Sequence, residues 1–241
     1  MAIDQDPTDN QLLNALGVEE RARIFATVES VPLALGQILC ESGRPFTHGY
    51  FPVSGIVSIL YVMENAASAE IAVVGSEGMV GVALFMGGDS TLSRAIVQNA
   101  GHAYRLSAQQ IKEEFNRAGD FQTLLLRYAT SLITQMVQTA ACNRHHTVDQ
   151  QLCRWLLMSL DRLPSNRLQM TQRLIGNMLG ISSAGVDTAA AVLEKAGLIN
   201  FERGNITVVS RAGVEERSCE CYGVVKREVE RLLALDSLVV H

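Results

Sequence analysis

No apolar run in this chain approaches the roughly 18 residues that a membrane-spanning helix requires, and no excess of positive charge is present. The 20 Lys+Arg are outnumbered by 25 Asp+Glu, for a net charge of -5. The first absence argues against a membrane protein and the second against a non-specific binder of polyanions. The opening residues, MAIDQDPTDNQ, are acidic and polar and resemble neither a secretory signal nor a transit peptide, so the expected location is the cytoplasm. Cysteine is sparse. Cys40, Cys142, Cys153, Cys219 and Cys221 are odd in number with no export signal, which predicts reduced thiols, and none of their spacings matches a zinc site. The constellations of an enzyme are missing too: no paired nucleophile and base, no metal-ligand spacing, and no phosphate-binding glycine loop followed by Lys. No catalytic residue, metal or cofactor is expected.

What is present is an ordinary globular composition, 48% hydrophobic and 19% charged over 241 residues, enough for one large or two small domains with real cores. The charge is unevenly spread. From Arg144 onward there are 12 Lys+Arg against 11 Asp+Glu, a net of +1, which leaves -6 for the N-terminal part. The C-terminal part is therefore the better candidate to approach nucleic acid.

Residues 10 to 29 predict one or two short amphipathic helices. From Val31 to about Leu106, short apolar stretches (GIVSILYVM, AEIAVVG, RAIVQ) alternate with turn signals at Gly36, Gly43, Gly49, Gly55, Gly75, Gly78 and Gly87-Gly88, the texture of an antiparallel sandwich or barrel. After Ser107, a plausible N-cap, the helical period takes over. Asp120 to about Asn143 predicts one long helix, on which Leu125, Tyr128, Leu132, Met136, Thr139 and Asn143 recur at three- and four-residue steps like a coiled-coil seam. So long a helix with that stripe predicts pairing with a second copy; packing on its own sandwich is the plainer alternative. VDQQLCRWLLMSLDRLP is a further amphipathic helix stopped by Pro164, and CECYGVVKREVERLLAL is a closing one.

Between them, Met170 to Ile199 carries a helix-turn-helix pattern. That motif needs a small residue where its helices touch, a glycine in the left-handed turn, and a branched apolar anchor on the second helix. Gly176, Gly180 and Val186 supply these at the required spacing, with Ile175, Leu179, Ile181 and Ala189 in the other core positions. Thr171 and Ser182 are suitable N-caps. GLINFERGNITVVS then predicts two short strands around Arg203-Gly204-Asn205, a tight hairpin that makes the arrangement winged.

With these parts in order, the chain resembles the family of the cyclic-AMP receptor protein and the fumarate-nitrate regulator (CRP/FNR). The resemblance runs through the sandwich, the long helix, CRWLLMSLDRL, TQRLIGNMLGIS, LEKAGLINFERGNI and the CECY tail. It implies an α+β chain: an N-terminal jelly-roll sensor domain of the cyclic-nucleotide-binding type with its leading helices (1-119), a dimerisation helix (120-146) and a winged helix-turn-helix domain (147-241). It further implies a homodimeric transcription regulator that reads a near-palindromic operator in double-stranded DNA and meets RNA polymerase, with half-sites about one helical turn apart.

The sensor departs from its relatives. Family members that bind cyclic nucleotides use a Gly-Glu pair for the ribose and Arg-Ser-Ala or Arg-Thr-Ala for the phosphate, because a carboxylate accepts from the 2′-hydroxyl while a guanidinium with a hydroxyl neighbour neutralises the phosphate. Here Gly78 is followed by Met79, and Arg94 by Ala95. Arg94 is expected to pair with a nearby carboxylate, and cyclic AMP is not expected to bind tightly. The effector stays unassigned. An iron–sulfur sensor needs grouped N-terminal thiolates, and only Cys40 lies in the first 140 residues. His48 and His102 leave a haem reading open beside the plainer one of hydrogen-bonded or surface histidines. Cys142, His145 and His146, three and four residues apart, are open to metal binding or to a helix-terminus role. Cys219 and Cys221, two apart, do not share a helix face and are expected to be packing residues.

The second helix of the motif departs as well. Family positions that hold Arg and Glu for base edges correspond to Ser183 and Ala184, and a further polar position corresponds to Thr188. That leaves Ser182, Ser183, Asp187 and Thr188 as base-facing candidates, with Thr171, Gln172, Arg173, Arg203 and Asn205 as phosphate contacts. Phosphate contacts orient a protein and set its salt dependence without carrying sequence information. The expectation is modest specificity with a contribution from DNA shape. The alternative is a dimeric, ligand-responsive or protein-interaction module whose winged domain has lost DNA reading.

Overall fold

The computed structural model describes residues 6–65, 67–202 and 204–233. A 3-10 turn at Pro7–Asp9 leads into α1 (Gln11–Asn14) and α2 (Val18–Phe25). Asn10 caps α1 through its side-chain oxygen, and its amide donates to the carbonyls of Pro52 (2.8 Å) and Gly78 (2.9 Å). One buried asparagine thus pins the N-terminal helices to the sandwich, and all its polar groups are matched, as burial demands.

Seven strands follow: β1 (Glu29–Leu33), β2 (Ile38–Cys40), β3 (His48–Pro52), β4 (Ile56–Val62), β5 (Ser68–Val74), β6 (Ser93–Asn99) and β7 (Gly101–Ser107). They form a three-stranded sheet in the order β1-β7-β3 and a four-stranded sheet in the order β2-β6-β4-β5. The pairings of β1 and β3 with β7 are antiparallel, with Glu29 opposite Arg105 and Tyr50 opposite Arg105 on the other side. Arg105 and Glu29 close that edge with an ion pair of 2.8 Å. The glycine-punctuated stretch is therefore the expected sandwich, held by inward Phe51, Ile56, Val57, Met79, Leu84, Val97, Ala103 and Leu106. Ser107 caps α3 (Ala108–Phe115) in a capping box with Gln110.

α4 runs from Asp120 to His145 without a break. Its predicted seam needs correction. Leu125, Tyr128 and Leu132 are buried in the chain's own first unit, Thr139 is buried in its second, and Met136 is half-buried; of the six, only Asn143 is exposed. The stripe left outside is Leu126, Thr130, Ile133, Val137 and Ala140, of which Leu126, Ile133 and Val137 are 49%, 51% and 57% exposed. Both stripes have coiled-coil spacing. Sequence periodicity finds such stripes but does not say which one the chain covers itself.

α5 (Val148–Leu160) is followed by β8 (Arg167–Gln169), α6 (Gln172–Leu179), α7 (Ser183–Lys195), β9 (Ile199–Glu202), β10 (Asn205–Val208), α8 (Arg211–Arg217) and α9 (Glu220–Leu233). The expected amphipathic α5 turns out to be covered all round: every residue from Gln151 to Leu160 is buried, as befits a central helix against which α7 and α8 pack. The expected hairpin gains a third strand, giving the order β8-β10-β9.

Compact units do not follow linear boundaries. Among the described residues, one comprises those up to Ile59, Val74–Ile133 and Glu228–Leu233; the other comprises those of Leu60–Val73 and Thr134–Arg227. The second thus takes the outer part of the β4–β5 hairpin. Within it, the indole of Trp155 donates to Glu70 at 3.1 Å, and Gln135 brackets the Val73 backbone, accepting from its N–H (2.6 Å) and donating to its carbonyl (3.2 Å). Among the described residues no helix is long and apolar enough to cross a membrane.

Candidate nucleic-acid interface

The helix-turn-helix geometry rests on two caps and two glycines. The Thr171 hydroxyl accepts from the Leu174 amide (3.3 Å) and starts α6, whose buried face carries Ile175, Met178 and Leu179. α6 ends at Gly180 with φ +70°, the left-handed conformation in which a side chain is strained. At Gly176 an added Cβ would lie 2.8 Å from the Ile181 carbonyl oxygen, and the same turn is closed by the Ile181 amide donating to the Gly176 carbonyl at 2.9 Å. Ser182 then caps α7 by accepting from the Gly185 amide at 3.2 Å. Val186, fully buried, and Ala189 anchor α7 to the layer beneath.

α7 presents Ser183, Ala184, Asp187, Thr188, Ala191 and Val192 as an exposed face. The Thr188 hydroxyl donates back to the Ala184 carbonyl (2.9 Å), so only its lone pairs face outward freely. Asp187 is the ionised group among these six residues, with Glu194 and Lys195 exposed further along α7. The Met170 amide donates to the Gly204 carbonyl (2.7 Å), which sets the start of α6 next to the β9–β10 turn. Of the expected phosphate contacts, Thr171, Arg173 and Asn205 are exposed and Gln172 is half-buried. Arg203 lies outside the described residues. Glu194, near the end of α7, accepts from the Phe201 amide (2.8 Å) and so fixes the hairpin to the second helix.

Ion pairs hold the scaffold behind this face. Arg211 bonds both the Asp161 carboxylate and the Tyr222 hydroxyl. Burial, then the Asp161 charge, pushes the Tyr222 phenol up to about 12. Arg217 meets Asp149 at 2.8 Å; burial acts to raise that carboxyl, but hydrogen bonds from Thr147 and Arg217 outweigh it and hold it below its ordinary value. β8 and α8 escaped sequence reading, although Ser210 is an N-cap whose hydroxyl accepts from Gly213.

In the sandwich, Gly78 packs under Tyr128: a Cβ at Gly78 would lie 2.3 Å from the tyrosine ring, and the Tyr128 hydroxyl donates to the Met79 carbonyl at 3.0 Å. Met79 is fully buried. Arg94 donates to the Glu41 carboxylate at 2.8 Å, and this bond, with the Ser42 amide, holds Glu41 below the usual carboxylate value. Ala95 is buried in β6. The Nδ1 of His48 shares a hydrogen bond with the Thr47 hydroxyl (2.9 Å), and His102 is exposed.

A second cluster lies in the same unit as the winged domain. Cys142, His146, Cys219 and Cys221 bring their donor atoms within 4.8 Å of one another. Cys219 and Cys221 are buried packing residues, as expected, and they pack with Cys142; the premise that both sit on a helix does not hold. Only Cys221 does; Cys219 lies in the link before α9, so the two side chains converge. His145 is exposed and outside the cluster. The Cys219 thiol is pushed below its ordinary value, chiefly by its hydrogen bond with Cys142. Burial raises Cys221 to about 11, and the bond to Cys219 followed by burial raises Cys142.

Comparison with known proteins bears on both units. The family model of the cyclic nucleotide-binding domain matches residues 30–118, and that of the Crp-like helix-turn-helix domain matches residues 150–217, together well over half of the chain. FixK2 from Bradyrhizobium japonicum superposes with a TM-score of 0.69 at 15% identity, covering 80% of this chain and 98% of that one. A CRP/FNR-family transcriptional regulator from Thermus thermophilus gives 0.63 at 17%, covering 79% and 98%. CLP, a c-di-GMP responsive global regulator from Xanthomonas campestris, gives 0.63 at 16%, covering 80% and 100%. At these identities the likeness establishes the shared fold. No curated protein matches the chain.

Proposed function

The chain belongs to the CRP/FNR family of DNA-binding transcription regulators, and from that premise we propose that it works as a homodimer with modest base specificity and without cyclic AMP as effector. The observation that carries the specificity reading is the exposed face of α7. Its Ser183, Ala184, Asp187 and Thr188 include no guanidinium or amide able to grip a purine edge with two bonds. Binding then leans on backbone contacts from Thr171, Gln172, Arg173 and Asn205, with Arg203 as a further candidate, and on DNA shape. Pairing of two copies along the exposed stripe of α4 sets two such domains on adjacent half-sites of a near-palindrome. RNA polymerase is the proposed protein partner.

The sensor reading is supported by Arg94, which is engaged by Glu41, and by Met79, which brings no carboxylate to a ribose. No cofactor or effector is assigned to the sandwich. A second reading, a winged domain that docks a protein, draws support from Leu174 and Val192, each 40% exposed, beside the alanines of α7.

Fluorescence anisotropy with duplexes tiled across the protein's own upstream region, against random duplex at several salt concentrations, separates the two. Binding to both duplex classes, with a steep salt slope and a preference of about 10- to 100-fold for one tile, supports the DNA reading. That preference lies below the roughly 1000-fold or more usual for specific regulators. Absence of binding at low salt sinks it in favour of the protein-docking module.

A further inference from the structure

We propose that Cys142, His146, Cys219 and Cys221 bind one zinc-class divalent ion in a tetrahedral site of three sulfurs and one nitrogen. The four residues come from three places: the last turn of α4, the two-residue link between α4 and α5, and the corner where α8 gives way to α9. All belong to the unit that carries the winged domain. Three sulfurs are buried, and the histidine side chain is 17% exposed.

Geometry fits a single ion. Zinc holds sulfur at about 2.3 Å and nitrogen at about 2.0–2.1 Å, so tetrahedral angles place neighbouring donors about 3.5–3.8 Å apart. Here the Cys142 and Cys219 sulfurs are 3.5 Å apart, and the Cys221 sulfur lies 3.6 Å from the His146 Nδ1. All remaining separations stay within 4.8 Å, a contraction of a few tenths of an ångström to an ångström from closure. An iron–sulfur cluster spreads its protein ligands over several irons and needs a wider set. Three soft thiolates with one imidazole select zinc over magnesium or calcium.

A separate observation points the same way. The other ring nitrogen of His146, Nε2, lies 3.2 Å from the Glu220 carboxylate. A metal-bound histidine nearly always directs its second nitrogen to such an acceptor, which fixes the ring and raises its basicity as a ligand. Here Nδ1 faces the sulfurs and Nε2 faces the carboxylate. A disulfide between Cys142 and Cys219 accounts for neither Cys221 nor this histidine orientation, and all five cysteines are free thiols.

The consequence is mechanical. The ion ties residues 77 positions apart and clamps the α4–α5 link to the α8–α9 corner. Clips that close long loops stabilise most, and binding to a site absent in the unfolded chain adds directly to folding stability.

The test uses the full chain, purified in reductant without chelator. Elemental analysis is expected to give about one zinc per chain. After chelation, one equivalent of cobalt(II) is expected to produce the intense visible absorption of tetrahedral thiolate coordination, bleached by added zinc. Because removing a buried cysteine can itself unfold the chain, two milder changes carry the argument. His146→Ala, which leaves three thiolates and at most a water, shifts and weakens the tetrahedral cobalt bands, and Glu220→Gln, at an exposed position, weakens zinc binding about 10- to 100-fold. Trp155, the single tryptophan, reports folding in each case. A folded, reduced wild-type chain that binds neither zinc nor cobalt overturns the proposal. So does a cobalt spectrum that is octahedral, or one that is unchanged in His146→Ala.

Discussion

The Tyr128 hydroxyl donates to the Met79 carbonyl at 3.0 Å while its ring fills the space where a side chain at Gly78 would stand. α4 is thereby locked to the Gly78–Met79 loop of the sandwich. Gly78→Ala forces either ring or loop to move, an overpacking cost of about 1–3 kcal/mol. Tyr128→Phe keeps the ring and loses one buried hydrogen bond, about 1 kcal/mol. Urea unfolding followed by circular dichroism should rank the glycine variant as the less stable; the reverse order shows that the ring packing is unimportant.

Arg94 is engaged by Glu41, and no carboxylate follows Gly78. Calorimetry with cyclic AMP is therefore expected to show no saturable micromolar binding. Glu41→Ala frees the guanidinium but supplies no ribose acceptor, so it too is expected to stay silent. Stoichiometric micromolar binding that Arg94→Ala abolishes contradicts this account of the sensor.

At the helix-turn-helix corner two glycines act for different reasons. A methyl at Gly176 meets the Ile181 carbonyl, which is backbone and part of the turn. We expect Gly176→Ala to cost about 1–3 kcal/mol. At Gly180 the contact is ordinary, 3.4 Å to Ala69, but φ is +70°. Gly180→Ala therefore costs about 1–2 kcal/mol of backbone strain alone. Thermal melts check the order, and DNA affinity should fall with stability in both.

The corner was legible in the sequence because each of its demands is local: a small residue, a left-handed residue and an anchor, at fixed spacing. The sandwich was legible for a similar reason, since alternating apolar runs and glycine turns report strands directly. What stayed hidden depends on which chain segments meet. Leu125 and Leu126 are equally apolar neighbours, and only the folded first unit decides that Leu125 is covered and Leu126 left out. Cys142 and Cys219 meet across 77 residues, and Cys219 reaches Cys221 because it stands outside the helix. β8, three residues long, carries too little periodicity to announce itself and exists as a strand by pairing with β10.

The exposed stripe of α4 gives a test of pairing. Ile133 lies at its centre, seven residues from Leu126 and four from Val137. Ile133→Glu sets a charge in the seam of both copies, and sedimentation equilibrium is expected to show a folded monomer. Leu125→Ala, a fully buried position, instead lowers stability by about 2–5 kcal/mol without selectively dissociating the dimer. A dimeric wild type from which Ile133→Glu is indistinguishable places the pairing face elsewhere, and a monomeric wild type overturns the proposed pairing.

Salt dependence distinguishes residues that meet phosphate from those that read bases. Each phosphate neutralised contributes about -0.9 to the slope of log affinity against log salt on duplex DNA. Arg173, in the first turn of α6, is exposed and is expected to make one such contact. Arg173→Ala should therefore weaken all duplexes alike and flatten the slope by about one. Asp187 has the opposite sign on the α7 face: its carboxylate near phosphates opposes binding, whatever the sequence, unless it accepts from a cytosine amine. Asp187→Asn keeps the shape and removes the charge. Stronger binding to every duplex identifies the carboxylate as a general brake, and weaker binding confined to the preferred tile identifies it as the base contact that the rest of the helix lacks. Either result assigns Asp187 a role at the interface. An affinity unchanged on both duplex classes places α7 away from the DNA and sinks the docking proposed for it.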